Sequence, residues 1–227
     1  MRPNRLRELW KAGKPAVAGW IGSGSSYLAE VMANAGYDAI VIDMQHGAGI
    51  TVDRAVACLQ AISTTSAVPM VRVPWNDPAY IQYVLDAGAY GVVVPLVNNA
   101  QDAARAAGAC KYPPLGYRSA GPNRARLYGG PDYLQHANEE VLCFVMIETQ
   151  EAVDNLEEIA RVPGVDGFYI GPSDLAISLG VPMAPDNKHP KHVAACQRVL
   201  EVAKAHGLVP GIHSSGPEEV ARLEAAS

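Results

Sequence analysis

The chain has 227 residues, 49% of them hydrophobic and 18% charged, the composition of a soluble globular protein long enough to bury a sizeable core. Its net charge is −5 and it carries no extended Lys/Arg stripe, which argues against a nucleic-acid partner. The first 14 residues lack an apolar stretch and the longest apolar runs are strand-sized, so neither a secretory leader nor a membrane partner is expected.

The basic cluster Arg2, Arg5, Arg7, Lys11 and Lys14 opens the chain and reads as a solvated first helix. From there, apolar runs of strand length alternate with segments of helical period. Strands are expected at 16–21, 38–43, 69–73, 91–97, 142–148, 167–170 and 209–213. Helices are expected at 26–35, 52–63, 78–87, 100–109, 151–160, 192–206 and 217–225. The punctuation agrees: Asn76-Asp77-Pro78 sets a capping acid before a proline at a first helical position. Gly36, Gly88, Gly180 and Gly207 stand where helices close. No linker, repeat or low-complexity tract interrupts the alternation, so residues 1–227 read as a single domain. Cys58, Cys110, Cys143 and Cys196 form no C-x-x-C pair and read mostly as buried free thiols, which suits a reducing, cytoplasmic compartment.

Strands apolar on both faces and alternating with helices imply a parallel α/β sheet covered by helices. A (β/α)8 TIM-type barrel and a doubly wound open sheet both satisfy that pattern. The barrel is favoured because polar residues gather at the C-terminal tips of nearly every strand: Asp43 to His46, Arg72, Asn98, Glu148, Ser173 with Asp174, and His213. In a barrel those tips converge on one mouth. No strand is followed by a well-formed G-x-G-x-x-G, which the open dinucleotide-binding sheet would call for. The count is seven strands, so an eighth βα unit is expected to be absent from the chain as given.

The tips supply candidate chemistry. Glu148 and Asp174 end adjacent strands; each alone serves equally well as a helix-capping acid, but together they are two hard oxygen ligands at one rim. Such a pair suits an ion like Mg²⁺ or Mn²⁺ that keeps open positions. Gly171, Pro172 and Ser173 add backbone and hydroxyl groups able to hold a substrate carboxylate. His46, followed by Gly47 and three residues after Asp43, is the natural general base near neutral pH. Arg72 can clamp a carboxylate or steady a developing enolate oxygen, with an ion pair to Asp43 or Glu148 as its structural alternative. The stretch Gly22-Ser-Gly-Ser-Ser26 reads as a turn and helix cap. The long connection 112–133 holds Arg118, Arg124 and Arg126, suited to covering an anionic ligand or contacting a second subunit. His136, His189, His192 and His206 read as solvated. No lysine falls at a strand tip, so Schiff-base chemistry is not expected.

Taken together these motifs resemble the HpcH/HpaI aldolase family of metal-dependent class II pyruvate aldolases, on a barrel of the phosphoenolpyruvate-utilising type. The resemblance runs from about residue 16 to 217. It rests on Asp43-x-x-His46-Gly47, Arg72-Val-Pro-Trp-Asn-Asp-Pro78, Leu85-Asp-Ala-Gly88, Tyr112-Pro-Pro-x-Gly-x-Arg118, Ile147-Glu-Thr149 and Gly167-x-x-Ile-Gly-Pro-Ser-Asp174. It implies a divalent cofactor (Mg²⁺, Mn²⁺ or Co²⁺) on Glu148 and Asp174, His46 as base and Arg72 as transition-state stabiliser. It further implies that Asp86 raises the basicity of the histidine, that Ser173 contacts pyruvate, and that the protein is a homo-oligomer, a hexamer or trimer-based. Two positions depart from the family: Gln45 stands where many members have Glu, and Met146 where Gln is frequent. Both bear on which keto acid is taken.

The expected reaction is therefore reversible addition of a pyruvate or hydroxypyruvate enolate to an aldehyde. A related lyase acting on acyl-CoA thioesters, of the citryl- or malyl-CoA type, and a non-catalytic keto-acid-binding barrel are the rivals. Turnover of acetyl-CoA with glyoxylate, or tight pyruvate binding without exchange of its methyl protons, would select one of them.

Overall fold

The computed structural model describes residues 1–214 and Gly216, so the helix expected at 217–225 lies outside the described residues. Seven strands form one sheet: β1 (Ala18–Ile21), β2 (Ala39–Asp43), β3 (Val68–Arg72), β4 (Gly91–Val94), β5 (Leu142–Ile147), β6 (Gly167–Ile170) and β7 (Val209–Ile212). All neighbouring pairs are parallel and the spatial order is the chain order, β1 to β7. The sheet curls. Trp20 of β1 lies with its ring 5.5 Å from that of Tyr169 in β6 and 4.8 Å from that of His213 just past β7, so the first strand returns to the last two.

The helices are α1 (Arg5–Lys11), α2 (Ser26–Ala33), α3 (Val52–Ile62), α4 (Pro78–Asp86), α5 (Ala100–Cys110), α6 (Asn123–Gly129), α7 (Tyr133–Glu140), α8 (Gln150–Asp154), α9 (Leu156–Ala160), α10 (Pro172–Ser178) and α11 (Pro190–Ala205). Every residue of β2, β3, β4 and β5 is buried, which is why these strands read as continuous apolar runs without alternation. Helix starts follow local chemistry. Ser25 accepts from the Leu28 N–H, Asp77 from the Ala79 N–H with Pro78 behind it, Asn99 from Asp102, and Thr149 from Ala152. No helix of the described residues is long and apolar enough to cross a membrane.

Four features differ from the sequence expectations. The fourth strand stops at Val94 because Leu96 turns into the left-handed region with φ 53°. The helix expected at 151–160 is broken into α8 and α9 at Asn155, whose side-chain amide donates to the Asn98 carbonyl. The connection 112–133 is not bare loop, since it holds α6 and leads into α7. Finally, α1 is not a solvated helix. Leu6 is buried, Trp10 packs edge-on against Phe144, Arg5 pairs with Asp38, and Arg7 pairs with Asp166. Asn4 donates to the carbonyls of Glu140 and Tyr90. Asp38, Tyr90 and Asp166 directly precede β2, β4 and β6, and Glu140 lies two residues before β5, so α1 closes the N-terminal end of the curled sheet.

Asp166 is the hub of that closure. It accepts from Arg7 at 2.5 Å, from the Cys143 N–H at 2.8 Å and from Lys111 Nζ at 3.1 Å, and Lys111 is only 2% exposed. Removing the carboxylate strands a buried ammonium against carbonyl oxygens alone. Asp166→Ala is expected to cost about 3–5 kcal/mol in urea-denaturation stability, the usual loss on breaking a buried ion pair. A loss under ~1 kcal/mol, the ordinary worth of a surface pair, would show the pair to be peripheral.

Candidate active site

The parallel register sets the first part of the site. Asp43, the last residue of β2, stands directly opposite Arg72, the last residue of β3. Neighbours in register project to the same face, so the two side chains meet as a fork: Arg72 Nε donates to Asp43 Oδ1 at 2.9 Å and Nη2 to Oδ2 at 2.6 Å. Both are largely buried. Burial pushes the Asp43 carboxyl up; the Arg72 hydrogen bond and charge and the His46 and Gln45 N–H groups outweigh it and hold the group below its ordinary value.

The same carboxylate shapes the following loop. Asp43 Oδ1 accepts from the backbone N–H of Gln45 at 3.1 Å and of His46 at 3.2 Å, and the Gly47 N–H returns to the Asp43 carbonyl at 3.1 Å. A Cβ at Gly47 would collide with that carbonyl oxygen, so only glycine permits the turn. His46 is left exposed at its crest, while Gln45 Oε1 is buried with no hydrogen-bond partner in the structure.

Trp20 is a site residue that sequence reasoning passed over. Its ring lies under Arg72, 4.9 Å from the guanidinium carbon, and also touches Tyr169 and His213. The available signal was a large aromatic amid small residues in Ala18-Gly-Trp-Ile21, one residue from a strand tip. Leu96 was likewise unforeseen. From its left-handed backbone it donates its N–H to Glu148 Oε1 at 2.7 Å.

Glu148 follows β5 and is 2% exposed. Burial raises its carboxyl above the ordinary value and the nearby charge of Asp174 adds to that, against the Leu96 hydrogen bond and the charge of Arg72. Gly171 abuts it: a Cβ there would lie 2.6 Å from Glu148 Oε2 and 3.0 Å from Met146 Cε. Pro172, Ser173 and Asp174 form the first turn of α10, with Ser173 and Asp174 exposed. The expected residues Asp43, Gln45, His46, Arg72, Glu148, Gly171, Pro172, Ser173 and Asp174 thus all lie at the C-terminal edge of β2, β3, β5 and β6. Among the described residues, no three His, Cys, Asp or Glu side chains form a metal-sized cluster. Glu148 and Asp174 are nonetheless a donor set suited to a hard divalent ion: two oxygen ligands, one of them destabilised in its charged form by burial and by the other.

Several expected residues have structural partners within the chain. Asp86 stands at a helix end, as its place in the sequence implies. It closes α4, nine residues that carry the chain about 13 Å away from the β3 tip, and pairs with Arg118 at 2.7 Å. Arg118 covers no ligand at the mouth; it is 1% exposed, donates to the Tyr133 hydroxyl at 3.1 Å and lies over the Tyr112 ring. Arg124 likewise serves structure, donating to the Ala87 carbonyl and the Ser63 hydroxyl. Nor are all the remaining histidines solvated: His192 is buried against the Pro172 carbonyl, and His206 pairs with Glu157. Asn98 is taken up by neighbours: its Oδ1 accepts from the Thr149 hydroxyl and its backbone carbonyl from the Asn155 amide. The glycine–serine stretch does act as a turn and cap, through Ser25.

A curled parallel α/β sheet with paired carboxylates, a held arginine and a free histidine at its C-terminal edge describes a carbon–carbon lyase of the aldolase type. Residues 17–223 match the family model HpcH/HpaI aldolase/citrate lyase, and the chain belongs to that family. It is 44% identical over 209 residues to the hydroxypyruvate/pyruvate aldolase of Rhizorhabdus wittichii, covering 92% of this chain and 83% of that one. It is 41% identical over 212 residues to the 4-hydroxy-2-oxo-heptane-1,7-dioate aldolase of Escherichia coli, covering 92% and 80%. Among solved structures, a HpcH/HpaI aldolase/citrate lyase family protein from Burkholderia cenocepacia J2315 superposes with a TM-score of 0.88 at 37% identity, covering 98% of this chain and 89% of that one.

The two buried acids titrate on opposite sides. Asp43 is depressed, so its stabilising contribution is present above its unfolded-state value and is lost as pH falls through the folded one. Glu148 is raised, so its contribution is present below its unfolded-state value and is lost as pH rises through the folded one. In the presence of chelator, the thermal midpoint is therefore expected to fall as pH rises from the ordinary carboxylate range towards neutrality. Glu148→Gln should remove that fall and raise the neutral-pH midpoint by about 2–4 °C, the equivalent of ~1 kcal/mol. A Gln variant less stable than the parent at neutral pH would contradict the burial argument.

Proposed function

We propose that the chain catalyses reversible aldol cleavage and addition between a pyruvate-type keto acid, pyruvate or hydroxypyruvate, and an aldehyde, with a divalent ion on Glu148 and Asp174. The observation that carries this reading is the pair of adjacent-strand carboxylates, one buried and raised, set beside an arginine already locked in place. When bound there, Mg²⁺, Mn²⁺ or Co²⁺ supplies a Lewis acid that polarises the carbonyl of the keto acid.

The chain's own groups do the rest. Asp43 occupies Nε and Nη2 of Arg72, which leaves Nη1 to meet the negative charge that develops on the substrate oxygen. In cleavage, His46 accepts the proton of the substrate hydroxyl while the adjacent carbon–carbon bond breaks. The bonding electrons pass into the keto acid as its enolate, the aldehyde leaves, and a proton is delivered to the enolate carbon. Addition runs the same steps backwards. Gly171, Pro172 and Ser173 border the substrate carboxylate, and the orphaned Gln45 Oε1 is suited to accept from a donor on the keto acid, as the hydroxyl of hydroxypyruvate would be. Asp86, on the far end of α4, is given no part within this chain.

The wider frame is read as one domain, residues 1–227, of (β/α)8 type, in which an eighth βα unit would pair with the edges of β7 and β1 that have no strand partner among the described residues. The protein is also read as a homo-oligomer. Trp75, Tyr83 and Leu127 are 58%, 64% and 87% exposed, apolar side chains available to a second copy of the chain. Light scattering on the purified protein should give a mass of several chains, and an active monomer would contradict it.

His46→Ala is expected to lower turnover by ~10²–10⁴-fold while leaving metal affinity unchanged. Asp174→Ala should weaken Mn²⁺ and keto-acid binding together. Arg72→Lys keeps the charge but loses the planar fork to Asp43, and should remain badly impaired. If His46→Ala kept near-parental aldol cleavage and exchange of the pyruvate methyl protons, the base would lie elsewhere.

A further inference from the structure

α10, which presents Ser173 and Asp174, is only seven residues long and cannot hold its own position. Two consecutive residues in the first turn of the sixteen-residue α11 grip it at both ends. Lys191 Nζ donates at 2.7 Å to the carbonyl of Leu179, the C-cap residue of α10. His192, 3% exposed, places Nε2 3.0 Å from the carbonyl oxygen of Pro172, the first residue of α10.

The imidazole bond is not one that helix formation demands. As the first residue of α10, Pro172 offers its carbonyl to the N–H of Ala176 in the ordinary i to i+4 pattern, so His192 takes the second lone pair. A carbonyl partner requires the tautomer protonated at Nε2. The Cys196 sulfur, one turn further along α11, lies 3.7 Å from Nδ1, the nitrogen that then accepts. The contact lies where a small slip has consequences. Gly171, preceding Pro172, already abuts Glu148 Oε2, and Asp174 follows two residues later.

We propose that His192 is a positioning residue that sets the separation of the Asp174 and Glu148 carboxylates by fixing the Pro172 carbonyl from α11. This rests on the reading of those two acids as metal ligands. It places a functional requirement on a helix face outside the mouth, in a residue that touches neither metal nor substrate.

The experiment is a titration of the purified full chain with Mn²⁺, followed by electron paramagnetic resonance, for the parent, His192→Gln, His192→Asn, His192→Leu and Asp174→Ala. The Gln amide can donate from near the place of Nε2; the Asn amide is too short, and Leu fills volume without a donor. Leu and Asn are expected to weaken Mn²⁺ binding about tenfold, as loss of an outer partner of a metal ligand does, and Gln to restore it to within about threefold. The keto-acid KM should rise in Leu and Asn, and the thermal midpoint in chelator should stay close to the parent's. Parental Mn²⁺ affinity in His192→Asn or His192→Leu would overturn the proposal. So would a Gln variant as weak as Leu, since packing would then be the cause. Where His192→Leu fails to fold, the Asn and Gln pair decides. Asp174→Ala separates the two readings. Undiminished Mn²⁺ binding there would remove the metal ligand and this inference with it. Loss there with His192→Asn unchanged would remove only the positioning role.

Discussion

The Asp43–Arg72 fork is the constraint on which the site hangs. It exists because the strands are parallel and in register, so that two residues ending neighbouring strands project side by side. Neither charge has another acid or base to turn to at hydrogen-bond range among the described residues, and both are largely buried. Deleting one would leave the other uncompensated, which costs several kcal/mol by the usual measure. The fork also reaches outward in both directions. Through Asp43 Oδ1 it ties down the turn that lifts His46, and through the Arg72 guanidinium it stacks on Trp20, which in turn meets Tyr169 and His213. One ion pair thereby relates β1, β2, β3 and β6.

Glu148 is the counterpart, a charge the fold keeps but does not satisfy. Burial is the largest influence on it, and the Leu96 N–H offsets only part of that cost. Leu96 achieves even this by taking a backbone conformation that a non-glycine residue adopts at an energetic cost. A carboxylate held unstable in its charged form, beside a second carboxylate, is an arrangement in which an incoming cation gains most. On the proposed reading, the stability forgone at Glu148 is preorganisation for charge, in the sense in which active sites generally use it.

Much of this was legible in the sequence, and the limits have physical causes. The alternation of strand and helix, the apolar strands and the polar tips are periodic or terminal signals, and they located β2, β3, β5 and β6 together with the nine candidate residues at their C-terminal edge, from Asp43 to Asp174. Conformations imposed by distant partners left no such trace. Leu96 leaves the strand to serve Glu148, which is 52 residues away in sequence. The helix at 151–160 breaks because Asn155 answers Asn98. Trp20 reads as an ordinary strand aromatic until the sheet curls and sets it under Arg72. His192 reads as a polar helix residue because its partner, Pro172, lies 20 positions upstream.

Asp86 shows a different limit, and it clarifies how the two ends of the sheet divide their work. The sequence offered Leu85-Asp-Ala-Gly88 and Tyr112-Pro-Pro-x-Gly-x-Arg118 as separate motifs, and only the family resemblance linked a residue of the first, at the end of the helix expected at 78–87, to the histidine. In the fold they are one feature: Asp86 pairs with Arg118, whose guanidinium also lies against the rings of Tyr112 and Tyr133. This knot ties the end of α4 and the start of α7 to the connection that follows α5. At the N-terminal end, α1, Asp166 and Lys111 close the sheet with their charges paired. The C-terminal edge instead leaves an orphaned amide oxygen on Gln45, an exposed imidazole on His46 and an unstable acid at Glu148. The charges at the N-terminal end are paired with one another, whereas the buried carboxylate of Glu148 at the C-terminal edge is met by the Leu96 N–H and by no cation in contact among the described residues. Within its own chain Asp86 is held by Arg118, so the end of α4 is tied to the connection that follows α5.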